Sequence, residues 1–163
     1  MKLQVLMFYQ DDPKKCTAAK MVKFGLAQSI KKIGNRGMVL DPFSTNTLLP
    51  KDKFSINSIV GIDCSWNLVD QAFSKKFNGI KRKLPPLLAG NPVNYSKLNK
   101  LTTVEALSAS LFILGFKEQG LQLLDKFKWG HTFYDLNQNL LNEYLKLENE
   151  DQIDLILKDY GLL

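Results

Sequence analysis

Ser58-Ile59-Val60-Gly61-Ile62-Asp63-Cys64-Ser65-Trp66 is the stretch on which the fold turns. Its first five residues are β-branched enough for a central strand, and the run passes directly into a carboxylate, a thiol, a hydroxyl and an indole. In open α/β sheets, ligands sit beyond the carboxyl ends of the strands, where backbone N–H and C=O groups have finished pairing. A carboxylate there can take a proton or hold a cation, and a Trp can cover a flat heterocycle. Asp63 and Trp66 also fit a plainer role, as a helix-capping Asp and a core Trp.

Working outward, Asn67 starts a helix expected through Phe77. Upstream, Met38 to Leu40 reads as a short strand ended by Asp41-Pro42, and residues 43–57 as a loop with one helical turn. Residues 3–8 alternate as a strand, closed by a turn at Asp11-Asp12-Pro13. From Thr17, a plausible N-cap, Ala18, Val22, Leu26 and Ile30 make one helical face, with Gly34-Asn35 as the stop. Downstream, Pro85-Pro86 exclude a regular central strand from residues 83–89. Thr102-Thr103-Val104-Glu105 is a capping box before an apolar run, and helices follow at about 117–127, 133–147 and 151–160. The chain is α/β, with a small parallel or mixed sheet and a helical C-terminal portion.

Charge divides unevenly along the 163 residues. Residues 1–100 hold 17 Lys/Arg and 6 Asp/Glu, a balance of +11, whereas residues 101–163 hold 5 and 10, a balance of −5. Such a split fits one region facing a polyanion, and equally a solvated basic surface. Cys16, Cys64 and His131 are the only cysteines and histidine, with no spacing that makes a zinc or iron–sulfur site from this chain alone. No apolar run is long enough to span a bilayer, and Met1 to Val5 does not open a signal peptide, so a cytoplasmic protein is expected. The absence of a Walker motif, GxGxxG and nucleophile elbow counts against an ATPase, a Rossmann oxidoreductase and a hydrolase of that type.

Three further segments could carry chemistry. Gly90-Asn91-Pro92-Val93-Asn94-Tyr95 is a polar loop whose amides suit a nucleobase edge or a cofactor, or form Asx turns. Lys14 and Lys15 precede a helix and suit a carboxylate or phosphate. Lys75, Lys76, Lys81, Arg82 and Lys83 surround Phe77 and Ile80, a pattern that suits a nucleic-acid backbone.

Taken in order, DPKKCT, LDP, DCSW, LP…NPVNY, TTVEA and FKWGHTF resemble the small-subunit ribosomal RNA aminocarboxypropyltransferase family in its compact archaeal form, from Leu3 to about Tyr144. The N-terminal segment is also similar to the start of the RNase L inhibitor ATPases, although a single cysteine there cannot hold an iron–sulfur cluster unaided. The resemblance implies a small N-terminal α/β lobe (residues 1–60) beside a SPOUT-like, knotted lobe (residues 61–163) ending in helices. It implies S-adenosylmethionine as donor, bound between the lobes. By that resemblance Leu40, Pro42 and Trp66 pack around the adenine, and the Ile62 main chain holds the ribose. Thr17 and Thr103 bind the methionine portion, Leu84 and Asn99 line the pocket, and Asp63 is the general base. Lys14, Lys15, Lys81, Arg82 and Lys83 are the candidate RNA contacts. The family usually has an aromatic residue where this chain has Asn99, and Ala, Gly and Pro where it has Gly90, Ser96 and Leu98.

The expected reaction is transfer of the 3-amino-3-carboxypropyl group to N3 of a uridine-derived nucleotide, a modified pseudouridine, by a monomer acting on ribosomal RNA or a pre-ribosomal particle, with no metal and no membrane. A SPOUT-like methyltransferase and a non-catalytic RNA-binding assembly factor are the alternatives.

Overall fold

The computed structural model describes residues 1–9, 12–73 and 77–163. Asp11 of the expected turn, Lys75 and Lys76 of the basic cluster, and positions 74–76 of the helix expected through Phe77 lie outside the described residues. Among the described residues, five strands form one parallel sheet: β1 (Lys2–Met7), β2 (Gln28–Ser29), β3 (Gly37–Leu40), β4 (Ser58–Asp63) and β5 (Ile80–Arg82), in the order β2-β1-β4-β3-β5. The central strand is the one expected. β4 lies between β1 and β3 with all six residues buried, which its near-continuous apolar run requires of a parallel strand covered on both faces.

The helix from Thr17 is shorter than its periodicity suggests. α1 (Thr17–Lys23) stops at Phe24-Gly25, where Gly25 takes φ 70°, and Leu26 and Ile30 fall outside it, on either side of β2. Its N-cap is Cys16, whose Sγ accepts from the Ala19 N–H at 3.3 Å, and not Thr17, which is the first helical residue. After β4, a 3-10 turn at Trp66–Leu68 and α2 (Val69–Phe73) replace the expected continuous helix; Ser65, and not Asn67, supplies the cap. β5 was hidden by its lysine and arginine, which a sheet edge tolerates.

α3 (Thr103–Ile113) begins at the expected capping box, with Thr102 and Glu105 each bonding the other's backbone N–H. Val104 and Leu107 through Ile113 are buried because α3 packs on β4 at one side and on α1, α4 (Lys117–Leu124) and α5 (Gly130–Tyr144) at the others. α6 (Gln152–Asp159) completes the helical portion. One large core joins this helical layer to Leu3, Val5, Met38 and Ile59 of the sheet, and a smaller cluster of Ile33, Val39, Val60 and Ile62 covers the opposite sheet face. The boundary expected between residues 60 and 61 falls inside β4, and the large core draws on residues from both sides of it. Among the described residues, no helix is long and apolar enough to cross a membrane.

Candidate functional site

The chain leaves β1 toward β2 on one side, whereas the neighbouring β4 leads out toward β5 on the other. Such a divergence opens a crevice at the carboxyl ends of adjacent strands. A cavity of about 860 Å³ lies there, and Thr17, Leu40, Pro42, Ile62, Asp63, Trp66, Leu84, Asn99 and Thr103 all line it. Residues far apart in sequence meet because β4 ends at Asp63, β3 at Leu40, and both α1 and α3 begin at the same opening.

Asp63 is only 6% exposed and is held from two sides. The Cys16 thiol donates to Oδ2 at 3.2 Å, and the Thr103 hydroxyl donates to Oδ1 at 3.4 Å. Burial first, and then the Asp63 charge and hydrogen bond, push the Cys16 thiol up to about 11, against a lowering pull from the Ala19 and Ala18 backbone N–H groups. Cys16 is therefore a neutral donor at neutral pH, the form that Oδ2 requires. Thr17 closes the same corner, its hydroxyl oxygen accepting from the Val104 N–H at 3.4 Å. Gly61 explains how β4 and α3 come so close: a Cβ there would lie 2.8 Å from Thr103 Cγ2.

Trp66 is fixed by its indole N–H, which donates to the Leu101 carbonyl at 3.1 Å, and the Lys100 ammonium lies 4.8 Å from its ring centroid. Asn99 adopts φ 61°, a conformation that Asn tolerates better than most residues. Its backbone N–H donates to the Leu87 carbonyl at 2.9 Å, and its Oδ1 accepts from the Leu87 N–H at 3.3 Å. The apolar Leu40, Pro42 and Leu84, the fixed indole, and the hydroxyls and carboxylate at the α3 N-terminus fit a ligand with a flat heterocycle at one end and charged polar groups at the other.

The candidate RNA contacts separate into two sets. Lys15 and Lys83 line the cavity, and Lys14 is exposed beside it. Arg82 is committed elsewhere, with Nε and Nη2 donating to the two oxygens of buried Asp52 at 3.0 and 2.9 Å. Lys81 pairs with buried Asp41 at 3.4 Å. Meeting a phosphate would draw Arg82 away from its paired Asp52, whereas Lys14, Lys15 and Lys83 have no such carboxylate partner among the described residues.

Three contributors were missed in the sequence. Cys16 entered the sequence reading only as a residue without metal-site spacing, although its place one residue before a helix is a signal for capping. Glu105 read only as a cap. The acidic C-terminal stretch gave no sign of reaching the site, yet Glu150, Ile153, Asp154 and Leu157 form one wall of the cavity. Glu150 anchors that wall, accepting from the Thr47 backbone N–H at 2.7 Å and from its hydroxyl at 3.2 Å.

A buried carboxylate beside a mixed apolar and polar cavity at the ends of parallel strands defines an α/β protein built to bind and act on a ligand there. Residues 38–161 match the family described as "Ribosome biogenesis protein, C-terminal", and residues 1–32 match "Possible Fer4-like domain in RNase L inhibitor, RLI". The chain is 41% identical to the 16S rRNA aminocarboxypropyltransferase of Methanococcoides burtonii, over 97% of this chain and 94% of that one. It is 42% identical to the protein of the same name from Saccharolobus islandicus, over 98% and 95%. The solved structure of the SAM-dependent rRNA:acp-transferase Tsr3 from Vulcanisaeta distributa superposes with a TM-score of 0.88 at 34% identity, over 99% of this chain and 93% of that one. The chain belongs to the 16S rRNA aminocarboxypropyltransferase family.

Proposed function

We propose that this chain transfers the 3-amino-3-carboxypropyl group of S-adenosylmethionine to N3 of a uridine-derived nucleotide, a modified pseudouridine, in small-subunit ribosomal RNA. Family membership over nearly the full chain supports the donor, the group transferred and the class of RNA. The observation that carries the mechanism is Asp63, buried at the end of the central strand and held by Cys16 and Thr103.

The sulfonium of S-adenosylmethionine activates three carbons, and the one lying in line with the acceptor is the one transferred. In this reading Leu40, Pro42 and Trp66 enclose the adenine, the Ile62 main chain holds the ribose, and Leu84 and Asn99 complete the lining. Thr17 and Thr103 hold the methionine portion. Asp63 accepts the N3 imide proton of the acceptor, an assistance worth roughly 10²–10⁴-fold. Cys16 and Thr103 each bond one of its oxygens, so the carboxylate is oriented before the acceptor arrives. Lys14, Lys15 and Lys83 meet the RNA backbone near the opening.

The SPOUT-like, knotted arrangement of residues 61–163 belongs to the same proposal. It rests on the family resemblance, with which the parallel sheet agrees. The reading also has the chain act as a monomer, in the cytoplasm, on pre-ribosomal particles.

Mass spectrometry of small-subunit RNA incubated with the protein and S-adenosylmethionine tests the reaction. A nucleotide heavier by an aminocarboxypropyl group is expected; a methylated or unchanged RNA refutes the proposal. Asp63→Asn should retain donor binding and lower single-turnover transfer by about 10²-fold or more. Unaltered transfer by a folded Asp63→Asn protein would remove Asp63 from the chemistry.

A further inference from the structure

One lip of the cavity also carries a face turned away from it. Val93 and Asn94 face the cavity, but the next residues turn outward: Tyr95 is 58% exposed and Val93 remains 83% exposed. An exposed aromatic on a mobile loop would mean little, yet this loop is tightly tied. The Asn94 N–H donates to Asn91 Oδ1 at 3.0 Å, the Ser96 N–H to the Ala89 carbonyl at 2.7 Å, and the Ala89 N–H to the Lys97 carbonyl at 3.0 Å. Asn91 is itself gripped by buried Glu105. Ser96 is held at φ 62°, a conformation that costs a non-glycine residue roughly 1 kcal/mol. The loop thus presents Tyr95 and Val93 to solvent in a fixed geometry.

Its charge indicates what covers them. From Leu84 to Val104 the chain has no carboxylate, and Lys97 and Lys100 follow the exposed aromatic, the first with its ammonium 3.5 Å from Asn94 Oδ1 and the second over the Trp66 ring. An exposed aromatic on a segment that carries only positive charge suits unpaired bases, which stack on the ring while lysines neutralise their phosphates. A-form duplex keeps its base faces stacked internally and offers Tyr95 none.

We infer that the loop from Val93 to Lys100 is a docking platform for unpaired RNA next to the acceptor nucleotide. Tyr95 stacks on a neighbouring base, while Lys97 and Lys100 take the phosphates. The inference deepens the proposed function and rests on its reading that the chain acts on RNA.

Fluorescence anisotropy with a labelled RNA hairpin carrying an unpaired uridine-rich loop, and with a blunt RNA duplex of equal length, tests it. Tyr95→Ala should weaken hairpin binding about 5- to 100-fold and leave duplex binding nearly unchanged. Tyr95→Phe, which keeps the ring, should bind the hairpin like wild type. Lys97→Gln should weaken both RNAs and flatten the salt dependence. S-adenosylmethionine affinity and melting temperature should stay level throughout, since neither side chain lines the cavity. Wild-type hairpin affinity in Tyr95→Ala, or equal losses in Tyr95→Ala and Tyr95→Phe, overturns the platform while leaving RNA modification standing. Failure of the wild-type protein to bind either RNA overturns the underlying reading as well.

Discussion

Glu105 and Asn91 are joined twice: Oε1 accepts from the Asn91 backbone N–H and Oε2 from its side-chain amide, each at 2.9 Å. The same carboxylate accepts from the Gly90 N–H at 2.7 Å and from the Thr102 N–H and hydroxyl at 2.7 and 2.9 Å. One buried side chain therefore starts α3 and shapes the loop at the cavity lip. Glu105→Gln replaces an acceptor with an NH₂ that confronts donors. A loss of roughly 2–4 kcal/mol is expected, a fall in melting temperature of about 5–15 °C, with earlier proteolysis between Gly90 and Lys100. Calorimetry and limited proteolysis measure both.

The Cys16–Asp63 bond gives a prediction in pH. The thiol is raised in the folded state to about 11 from an ordinary 9.0, chiefly by burial. A raised group contributes stability that is intact below its unfolded value and is lost as pH rises through the folded one. Denaturant titrations should show stability falling from about pH 9 to about pH 11, with a smaller fall in Cys16→Ala. At neutral pH iodoacetamide should label the more exposed Cys64 before Cys16, which peptide mapping reads directly.

Gly61 is where β4 touches α3. Gly61→Ala places a methyl 2.8 Å from Thr103 Cγ2, so one of the two must move. A cost of about 1–3 kcal/mol is expected, together with a loss of S-adenosylmethionine affinity of roughly 10-fold as Thr103 shifts from Asp63. Titration calorimetry on the folded variant decides it.

Ser96 offers the opposite sign. Glycine accepts its φ of 62° without strain but gives the unfolded chain more freedom, so Ser96→Gly should stabilise by at most about 1 kcal/mol. A drop in midpoint denaturant concentration would show the Ser96 conformation to be unstrained.

Arg82→Gln and Lys83→Gln should part company. Removing Arg82 leaves Asp52 buried without its bidentate partner and should lower stability by about 1–3 kcal/mol, with little change in the salt slope of RNA binding. Lys83→Gln should reduce that slope by about one while the fold holds. Equal salt slopes for Lys83→Gln and wild type would take Lys83 off the RNA surface.

The residues explain why some of this was legible beforehand. β4 and the Thr102–Glu105 box declare themselves because burial on both faces and helix initiation each impose a local composition. α1 misled because Leu26 and Ile30 keep the helical spacing after Gly25 has turned the backbone, and the two are half-buried against different clusters rather than along one helix face. At the site, Asp63 and Trp66 stood out by position after a strand. The Cys16 thiol bond, the reach of Glu150 to Thr47 and the capture of Arg82 by Asp52 join residues 47, 103 and 30 positions apart. No local pattern encodes pairings of that range; they follow from tertiary packing.

The cavity wall is gathered from Lys15 through Leu163, with the Glu150–Thr47 clamp tying the late part of that span to the first half of the chain. Strands β3 and β4 and helices α1, α3 and α6 all contribute to it, so ligand occupancy is linked to the opening of each of them. A ligand at a hundred times its dissociation constant would add about 2.7 kcal/mol to the whole. Amide hydrogen exchange in β4, α3 and α6 should then slow together by a common factor, even though α6 touches the cavity through only a few side chains.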